Sequence, residues 1–510
     1  MRLTGLLSNI NVLEYHGPRD ADITGLAYDS RKVKEGFLFF ALPGIHADGH
    51  DFIEAAIGQG ARAVIHSRSL STMREGIAYL RVEDPRIVMS PVSAEFYGHP
   101  SQELTIVGVT GTDGKSTTVS LIHQLLEAKG FKAGFLSTVQ YQTTSVRSNP
   151  YRQSTPEATE VQAILREMLD SGCQYGVIEA TSHGLSHRNN RLGDVDFDVA
   201  VFTNVTHEHL EFHGSLEQYR NDKANLFRAL DHSLWDGAFG VVNRDDPNAD
   251  LFIHATKKKV RTYSLKDPHA DFFADRIETS LGSGGTNGGT FFGTKFVLHE
   301  GGRAHNCTIS LPGSFNVENV MASILAVSGL LDCPVSELIP FLPALKPVKG
   351  RMNAICKGQP FTLIVDYAHT PAAFEKLFPM MRKTTEGRLI VVFGSAGERD
   401  TEKRSLQGAI ASRYADLMIL TDEDPRGEDS LSIIREIASG CPERKEGRDL
   451  LMIPDRREAI LTACSRAEPK DTVLLLGKGH ESTIIYADGP IPWDEIKAAE
   501  EALASLGYRG

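Results

Sequence analysis

The segment Gly108-Val109-Thr110-Gly111-Thr112-Asp113-Gly114-Lys115-Ser116-Thr117-Thr118 constrains the fold more than any other. It lies between Leu104 to Val109, which reads as a buried strand, and Lys115 to Lys129, which reads as a helix. A glycine-rich turn at that junction aims backbone N–H groups and a helix N-terminus at one point, where phosphate oxygens bind. Lys115 can neutralise them and the Ser116 hydroxyl can reach magnesium. Gly111, Thr112, Asp113, Gly114, Lys115, Ser116 and Thr117 are therefore the expected ATP-binding residues. The spacing is longer than usual, since five residues separate Gly108 from Gly114. A tight turn with an exposed lysine is the competing reading, and the loop alone does not separate a kinase from an ATPase or a ligase.

Such a loop needs a parallel sheet, and the pattern downstream supplies one. Tyr175 to Glu179 and Val199 to Thr203 read as further strands separated by helical spacing. After Lys346-Pro347-Val348-Lys349-Gly350 the pattern restarts: strands Phe361 to Tyr367, Arg388 to Gly394, Leu417 to Thr421 and Thr472 to Leu476 alternate with helices such as Leu431 to Ser439. Ahead of the loop, apolar runs such as Phe37-Leu38-Phe39-Phe40-Ala41 alternate with polar turns as far as Pro100. The expected fold is α/β in three domains: a small α/β domain over residues 1–100, a central phosphate-loop domain with a parallel sheet over 101–345, and a Rossmann-like domain over 346–510. Gly282 to Gly289 reads as a surface loop with no chemistry.

Composition narrows the partners. With 41% hydrophobic and 24% charged residues the chain is ordinarily globular, and a net charge of -12 without a basic stripe argues against nucleic acid. Met1 to Asn11 lacks a charged segment leading into an apolar one, and no apolar run approaches the roughly 20 residues of a bilayer span. The cytoplasm is the expected location, with no membrane span and a monomer as the default. The six cysteines, Cys173, Cys307, Cys333, Cys356, Cys441 and Cys464, lack CxxC pairing and are expected to be buried free thiols.

Chemistry gathers again at Asn204-Val205-Thr206-His207-Glu208-His209-Leu210-Glu211-Phe212-His213-Gly214, just after a strand end, where open α/β sheets collect ligands. Glu179 ends another strand and could share that crevice. The histidines would suit zinc; magnesium prefers oxygen, which leaves Glu179 and one histidine as direct ligands. A polar loop of solvated histidines is the plainer alternative. Lys223, in Tyr219-Arg220-Asn221-Asp222-Lys223-Ala224, reads by itself as a solvated helix lysine.

Taken in order, several segments resemble the Mur ligases of bacterial cell-wall synthesis, over nearly the whole chain. They are Asp29-Ser30-Arg31 with Gly44-Ile45-His46-Ala47-Asp48-Gly49-His50, the phosphate loop, Ser154-Thr155-Pro156-Glu157, Glu179-Ala180-Thr181-Ser182-His183-Gly184-Leu185, Asp366-Tyr367-Ala368-His369-Thr370-Pro371 and Gly477-Lys478-Gly479-His480-Glu481. Each is weak alone; the ordered set is specific. The resemblance implies an N-terminal domain for a UDP-sugar, a central ATPase and a C-terminal domain that closes over an amino acid. Tyr28, Ser30, His46 and Ala47 match positions that hold the uridine nucleotide. Thr155, Pro156, Thr181 and Arg191 match contacts to the muramoyl peptide, although Gly184 to Arg191 is longer than in many relatives, so His187, Arg188 and Arg191 compete for one role. Glu179 and His209 match magnesium positions beside Ser116 of the phosphate loop, and Lys223 matches a lysine that relatives carry as a carbamate, an anionic oxygen ligand. Lys115, Glu179, His209 and Lys223 form the implied catalytic set. Asn316 and Arg351 match adenine and ribose contacts, while Asp366 and His369 face the ATP phosphates.

Arg399, Asp424, Arg426, Gly477 and Glu481 match the site of the incoming amino acid. Thr421-Asp422-Glu423-Asp424-Pro425-Arg426 stands where diaminopimelate-adding relatives read Asp-Asn-Pro-Arg. Arg426 suits the extra carboxylate of diaminopimelate, whereas Asp424 in place of the amide favours an ammonium and thus lysine or ornithine. meso-Diaminopimelate is favoured. The resemblance then implies that ATP and magnesium convert the D-glutamate carboxylate of UDP-N-acetylmuramoyl-L-alanyl-D-glutamate to an acyl phosphate, which the amine attacks. Two readings compete: a ligase like folylpolyglutamate synthetase, which shares the ATPase core without the UDP-sugar module, and a nucleotide-binding protein without catalysis.

Overall fold

Short alternating strands open the chain. β1 (Glu14–His16), β2 (Gly25–Ala27), β3 (Phe37–Phe40), β4 (Ala63–His66) and β5 (Ala78–Arg81) form a sheet of order β1-β5-β4-β3-β2, parallel except for β1. In β4 the side chains of Ala63 and Ile65 enter one apolar cluster and Val64 enters the other, so both faces of the sheet are covered. The computed structural model describes residues 1–8, 10–44, 47–148, 154–206, 214–282 and 292–509. It divides into two units, residues 1–272 with 320–335, and residues 273–319 with 336–510.

The first unit also holds the sheet of β6 (Thr105–Thr110), β7 (Ala133–Leu136), β8 (Gln140–Gln142), β9 (Val146–Ser148), β10 (Tyr175–Glu179), β11 (Val199–Phe202), β12 (Phe239–Asn243) and β13 (Lys259–Ser264), in the order β13-β12-β11-β6-β10-β7-β8-β9. From β13 to β7 every pair is parallel, with β6 between β10 and β11. β6 runs one residue past the sequence reading because Thr110 still pairs with Phe202. The helix Lys115–Ala128 follows the phosphate loop and buries Val119, Leu121, Ile122, Leu125 and Leu126. Three successive parallel strand ends, those of β10, β6 and β11, thus open on one edge.

In the second unit, β14 (Phe272–Leu281), β15 (Phe292–Glu300) and β16 (Arg303–Ile309) lie side by side, β15 and β16 antiparallel. Six further strands, β17 (Asn353–Ile355), β18 (Thr362–Asp366), β19 (Leu389–Phe393), β20 (Leu417–Leu420), β21 (Leu450–Met452) and β22 (Thr472–Leu476), take the order β17-β18-β22-β19-β20-β21, parallel apart from β17. Alternate residues feed opposite clusters: Leu474 and Leu476 pack toward the helices Pro371–Thr384 and Ser430–Ala438, Val473 and Leu475 toward Arg456–Arg466 and Glu495–Ser505. A hairpin of β23 (Thr483–Tyr486) and β24 (Gly489–Pro492) forms a separate two-stranded sheet, bridged to Arg426 through Tyr486.

Among the described residues one helix, Ser314–Leu331, is long and apolar enough to cross a membrane, and 67% of it is buried inside the protein, so it serves as a core helix. Four cysteines are buried and burial pushes the thiols of Cys307 and Cys464 up to about 12; Cys356, expected inside, is exposed. It sits in the polar turn after the edge strand β17, where little covers it.

Candidate active site

Gly111 begins the phosphate loop with φ +151°, and a Cβ there would fall 1.9 Å from the Thr203 hydroxyl oxygen, so only glycine fits. The loop is held from the β11 side. Thr112 N–H donates to the Asn204 carbonyl at 2.7 Å, Asp113 N–H to Asn204 Oδ1 at 3.0 Å, and the Thr203 hydroxyl to the Asp113 carbonyl at 2.7 Å. Thr206 N–H bonds the Thr112 hydroxyl at 3.0 Å. With the Thr112 and Asp113 amides so used, the N–H groups at the start of the following helix, from Lys115 to Thr117, are the donors left for an anion. Gly114, with φ +83°, makes the turn into that helix.

At the end of β10, Glu179 is buried, and its carboxylate accepts from the Ser116 hydroxyl at 2.7 Å, the Thr138 N–H at 2.9 Å and the Thr138 hydroxyl at 2.8 Å. Lys115 Nζ stands 3.9 Å from the same carboxylate and donates to the Thr112 carbonyl at 2.7 Å. An ammonium, a hydroxyl and a carboxylate therefore meet at the strand edge beside a helix N-terminus. The oxygen donors fit a hard cation such as magnesium. Lys223 departs from the solvated lysine read in isolation: it is 2% exposed, its Nζ donates to the Gly111 carbonyl at 2.6 Å, and it lies 4.4 Å from the Tyr219 ring centroid. The helix Leu216–Ala229 turns that face inward along with Tyr219, Ala224, Leu226 and Phe227. His207, His209 and His213 lie outside the described residues, as does His46.

Next to this edge, the hydroxyls of Thr155 and Thr181 bond each other at 2.8 Å, and Thr155 donates to the Glu179 carbonyl at 3.0 Å; Pro156 is buried beside them. Arg191 is buried, donating to Glu157 at 2.8 Å and to the Thr155 carbonyl at 3.0 Å, while His187 and Arg188 are exposed. Of the three competitors, Arg191 is the one brought to Thr155. The Tyr28 hydroxyl bonds Glu160, whose carboxyl burial pushes up. Ser30 starts a short turn capped by the Asp29 side chain, and Ala47 is exposed.

In the second unit, Asp366 closes β18; its carboxylate accepts from the Met352 N–H at 2.9 Å and the Ala368 N–H at 2.8 Å, and burial raises it against the pull of Arg351. The Arg351 guanidinium covers the Tyr367 ring at 4.5 Å, and the rings of His369 and His480 each lie 4.6 Å from Tyr367. Asn316 is buried and donates to the Pro312 carbonyl at 2.7 Å. Fully buried Lys478 donates to Asp424 at 2.8 Å and to Glu481 at 2.5 Å, so Asp424, Glu481 and Gly477 come together. Arg426 has φ +55° and a buried Nε without a partner among the described residues. Arg399 is exposed on the turn after β19.

Sequence reading passed over Thr138, Asn204, Glu423 and Lys478. Asn204 follows β11, beside the strand that carries the loop, and Thr138 follows β7, beside the strand that ends at Glu179, a signal the strand order would have given. Glu423 is buried, and a Cβ on Gly477 would lie 3.0 Å from its Oε2, an atom with no hydrogen-bond partner among the described residues. Burial raises its carboxyl.

Three family descriptions match the chain. Residues 22–97 match the Mur ligase family, catalytic domain; 109–327 the Mur ligase middle domain; and 350–479 the Mur ligase, glutamate ligase domain. The chain is 48% identical over 521 residues to a UDP-N-acetylmuramyl-tripeptide synthetase of Treponema denticola, covering 97% of this chain and 96% of that protein. It is 47% identical over 494 residues to one of Borreliella afzelii, covering 96% and 95%. A solved structure described as UDP-N-acetylmuramoyl-L-alanyl-D-glutamate--2,6-diaminopimelate ligase superposes with a TM-score of 0.66 at 29% identity, covering 99% of both chains. A phosphate loop backed by Glu179 and Lys223, on a chain matched from end to end by these relatives, makes this protein a member of the Mur ligase family.

Proposed function

We propose that the chain is an ATP-dependent amide ligase of peptidoglycan synthesis that joins a dibasic amino acid to UDP-N-acetylmuramoyl-L-alanyl-D-glutamate. The observation that carries this reading is Glu179, held by Ser116 and Thr138 within 3.9 Å of Lys115, at the end of the strand beside the phosphate loop. The three domains of the reading are residues 1–100 for the UDP-sugar, 101–345 for ATP and 346–510 for the amino acid. Tyr28, Ser30, His46 and Ala47 would hold the uridine end, and Thr155, Pro156, Thr181 and Arg191 the peptide.

Phosphoryl transfer is chiefly positioning and charge neutralisation. Lys115 and the helix N-terminus offset charge on the transferring group as the D-glutamate carboxylate attacks it. The amine then attacks the acyl phosphate and displaces phosphate, with no nucleophilic side chain required. Ser116 and Glu179, together with His209 and Lys223 as its carbamate, would hold magnesium, which when bound supplies further neutralisation of phosphate oxygens. Asn316, Arg351, Asp366 and His369 would hold the rest of ATP. Arg399, Asp424, Arg426, Gly477 and Glu481 would hold the acceptor. Asp424 already accepts from buried Lys478 and from the Ile485 N–H, which supports Arg426 and meso-diaminopimelate over an ammonium on Asp424. The same reading sets a monomeric enzyme in the cytoplasm.

The test supplies the nucleotide dipeptide, ATP, magnesium and each of diaminopimelate, lysine and ornithine. ADP, phosphate and a tripeptide product are expected with one of the three. No product with any of them refutes the function.

A further inference from the structure

The two loops that carry the acceptor residues are tied together from beneath by an ion pair outside the proposed binding set. Thr421–Arg426 leaves the end of β20 and Gly477–Glu481 leaves the end of β22. β19 lies between these strands, so β20 and β22 do not pair, and at the rim the loops meet through the Lys478–Asp424 ion pair and the Arg426 N–H, which donates to the Ile485 carbonyl at 2.9 Å. Arg456, 1% exposed at the start of its helix, spans them: Nη1 donates to the Asp422 carbonyl at 3.0 Å and Nη2 to the Leu476 carbonyl at 2.6 Å. Its other edge meets Glu495, 0% exposed, at 2.9 Å from Nε and 2.6 Å from Nη2. Glu495 also accepts from the Trp493 indole at 2.6 Å.

A guanidinium reaches two carbonyls and a carboxylate in one fixed fork, which an ammonium cannot do. Each bonded carbonyl belongs to the residue just before a loop position of interest, Glu423 on one side and Gly477 on the other. Those two positions are close neighbours, since a Cβ added to Gly477 would lie 3.0 Å from Glu423 Oε2. Stability gives little reason for such a pair, because apolar residues of similar volume often replace buried ion pairs at no loss.

We propose that Arg456 and Glu495 are positioning residues for the incoming amino acid: they fix the distance between the two loops, and with it the affinity for the amine, without touching it. This rests on the reading of those loops as the acceptor site.

The experiment uses the full-length enzyme and the variants Arg456→Lys, Glu495→Gln and the double variant Arg456→Met with Glu495→Met. Initial rates are measured with each substrate varied in turn. The KM for the amine is expected to rise roughly ten- to a hundredfold in the double variant and less in Arg456→Lys, with the KM for ATP unchanged. An unchanged amine KM in a variant that melts like the parent overturns the proposal, and so does an equal loss for all substrates. If the double variant does not fold, the two single variants decide by the same criteria. Amide hydrogen exchange provides a readout independent of what the loops bind. Exchange should accelerate in both loops of Arg456→Lys and stay at parental rates in the phosphate loop. Parental exchange in both loops overturns the clamp even where the assignment of function has itself failed.

Discussion

Exchanging Glu179 for glutamine separates the chemistry of the site from its architecture. The Ser116 hydroxyl and the Thr138 N–H both address Oε2, at 2.7 and 2.9 Å, so the amide oxygen takes that place. The amide nitrogen then occupies the Oε1 position, where the Thr138 hydroxyl at 2.8 Å can turn from donor to acceptor. The three hydrogen bonds keep partners while the second amide N–H faces Lys115, which stands 3.9 Å from the present carboxylate, so the change in unfolding free energy should stay within about 1–3 kcal/mol. The negative charge is lost from the place where a cation and the transferring phosphoryl group would meet. Removing one such electrostatic partner typically costs about 10²–10³ in turnover, roughly 3–4 kcal/mol. ADP release by the purified Glu179→Gln variant, with nucleotide dipeptide and amine present, checks the loss of turnover, and thermal melting beside the parent checks the change in stability. Parental turnover refutes the catalytic assignment. A large drop in melting temperature refutes the argument that the hydrogen bonds survive.

Lys223→Ala should abolish turnover, and added bicarbonate should not restore it because no amine remains to be carbamylated; full activity by the ADP assay removes that role. Arg191→Met takes from buried Glu157 its partner at 2.8 Å and leaves only Arg86 at 3.8 Å, so about 3 kcal/mol of stability should be lost in chemical denaturation, and pairing it with Glu157→Leu should recover most of that. Gly111→Ala should remove nucleotide binding measured calorimetrically, and Thr203→Ala should not restore it, because φ +151° strains alanine whatever the space and the Thr203 bond to the Asp113 carbonyl is lost as well. Burial, with Arg351 and other cations nearby, pulls His480 from its ordinary 6.5 down to about 3. Below 6.5 the unfolded chain binds a proton that the folded chain refuses, so stability is present above that pH and is lost as pH falls toward about 3. His480→Gln should flatten this acid limb in denaturant midpoints measured across that range.

Elements with strong periodicity were legible. The strands at Tyr175–Glu179 and Thr472–Leu476 stand where their apolar runs begin and end, and the phosphate loop falls between strand and helix as its glycines require. Lys223 was not legible from its neighbours, because its helix carries polar residues on both sides and only packing against Gly111 and Tyr219 turns it inward. Thr138 and Asn204 were missed for a related reason: their value comes from β7 standing beside β10 and β11 beside β6, and strand order is a long-range property with no local signature. Asp424 reads from the sequence as a carboxylate that favours an ammonium from the substrate, yet its partner, Lys478, lies fifty-four residues on.

The phosphate loop and its helix are local in the chain, but what holds them is not. Thr203 and Asn204 come from about ninety residues downstream, and Glu179 from beyond Ser116 by sixty-three. Contacts of that span form late, after the entropy of closing long loops has been overcome. Nascent or partly folded chains should therefore fail to retain nucleotide even once the loop and helix exist, and nucleotide retention can serve as a gauge of how much of the population has completed its central sheet.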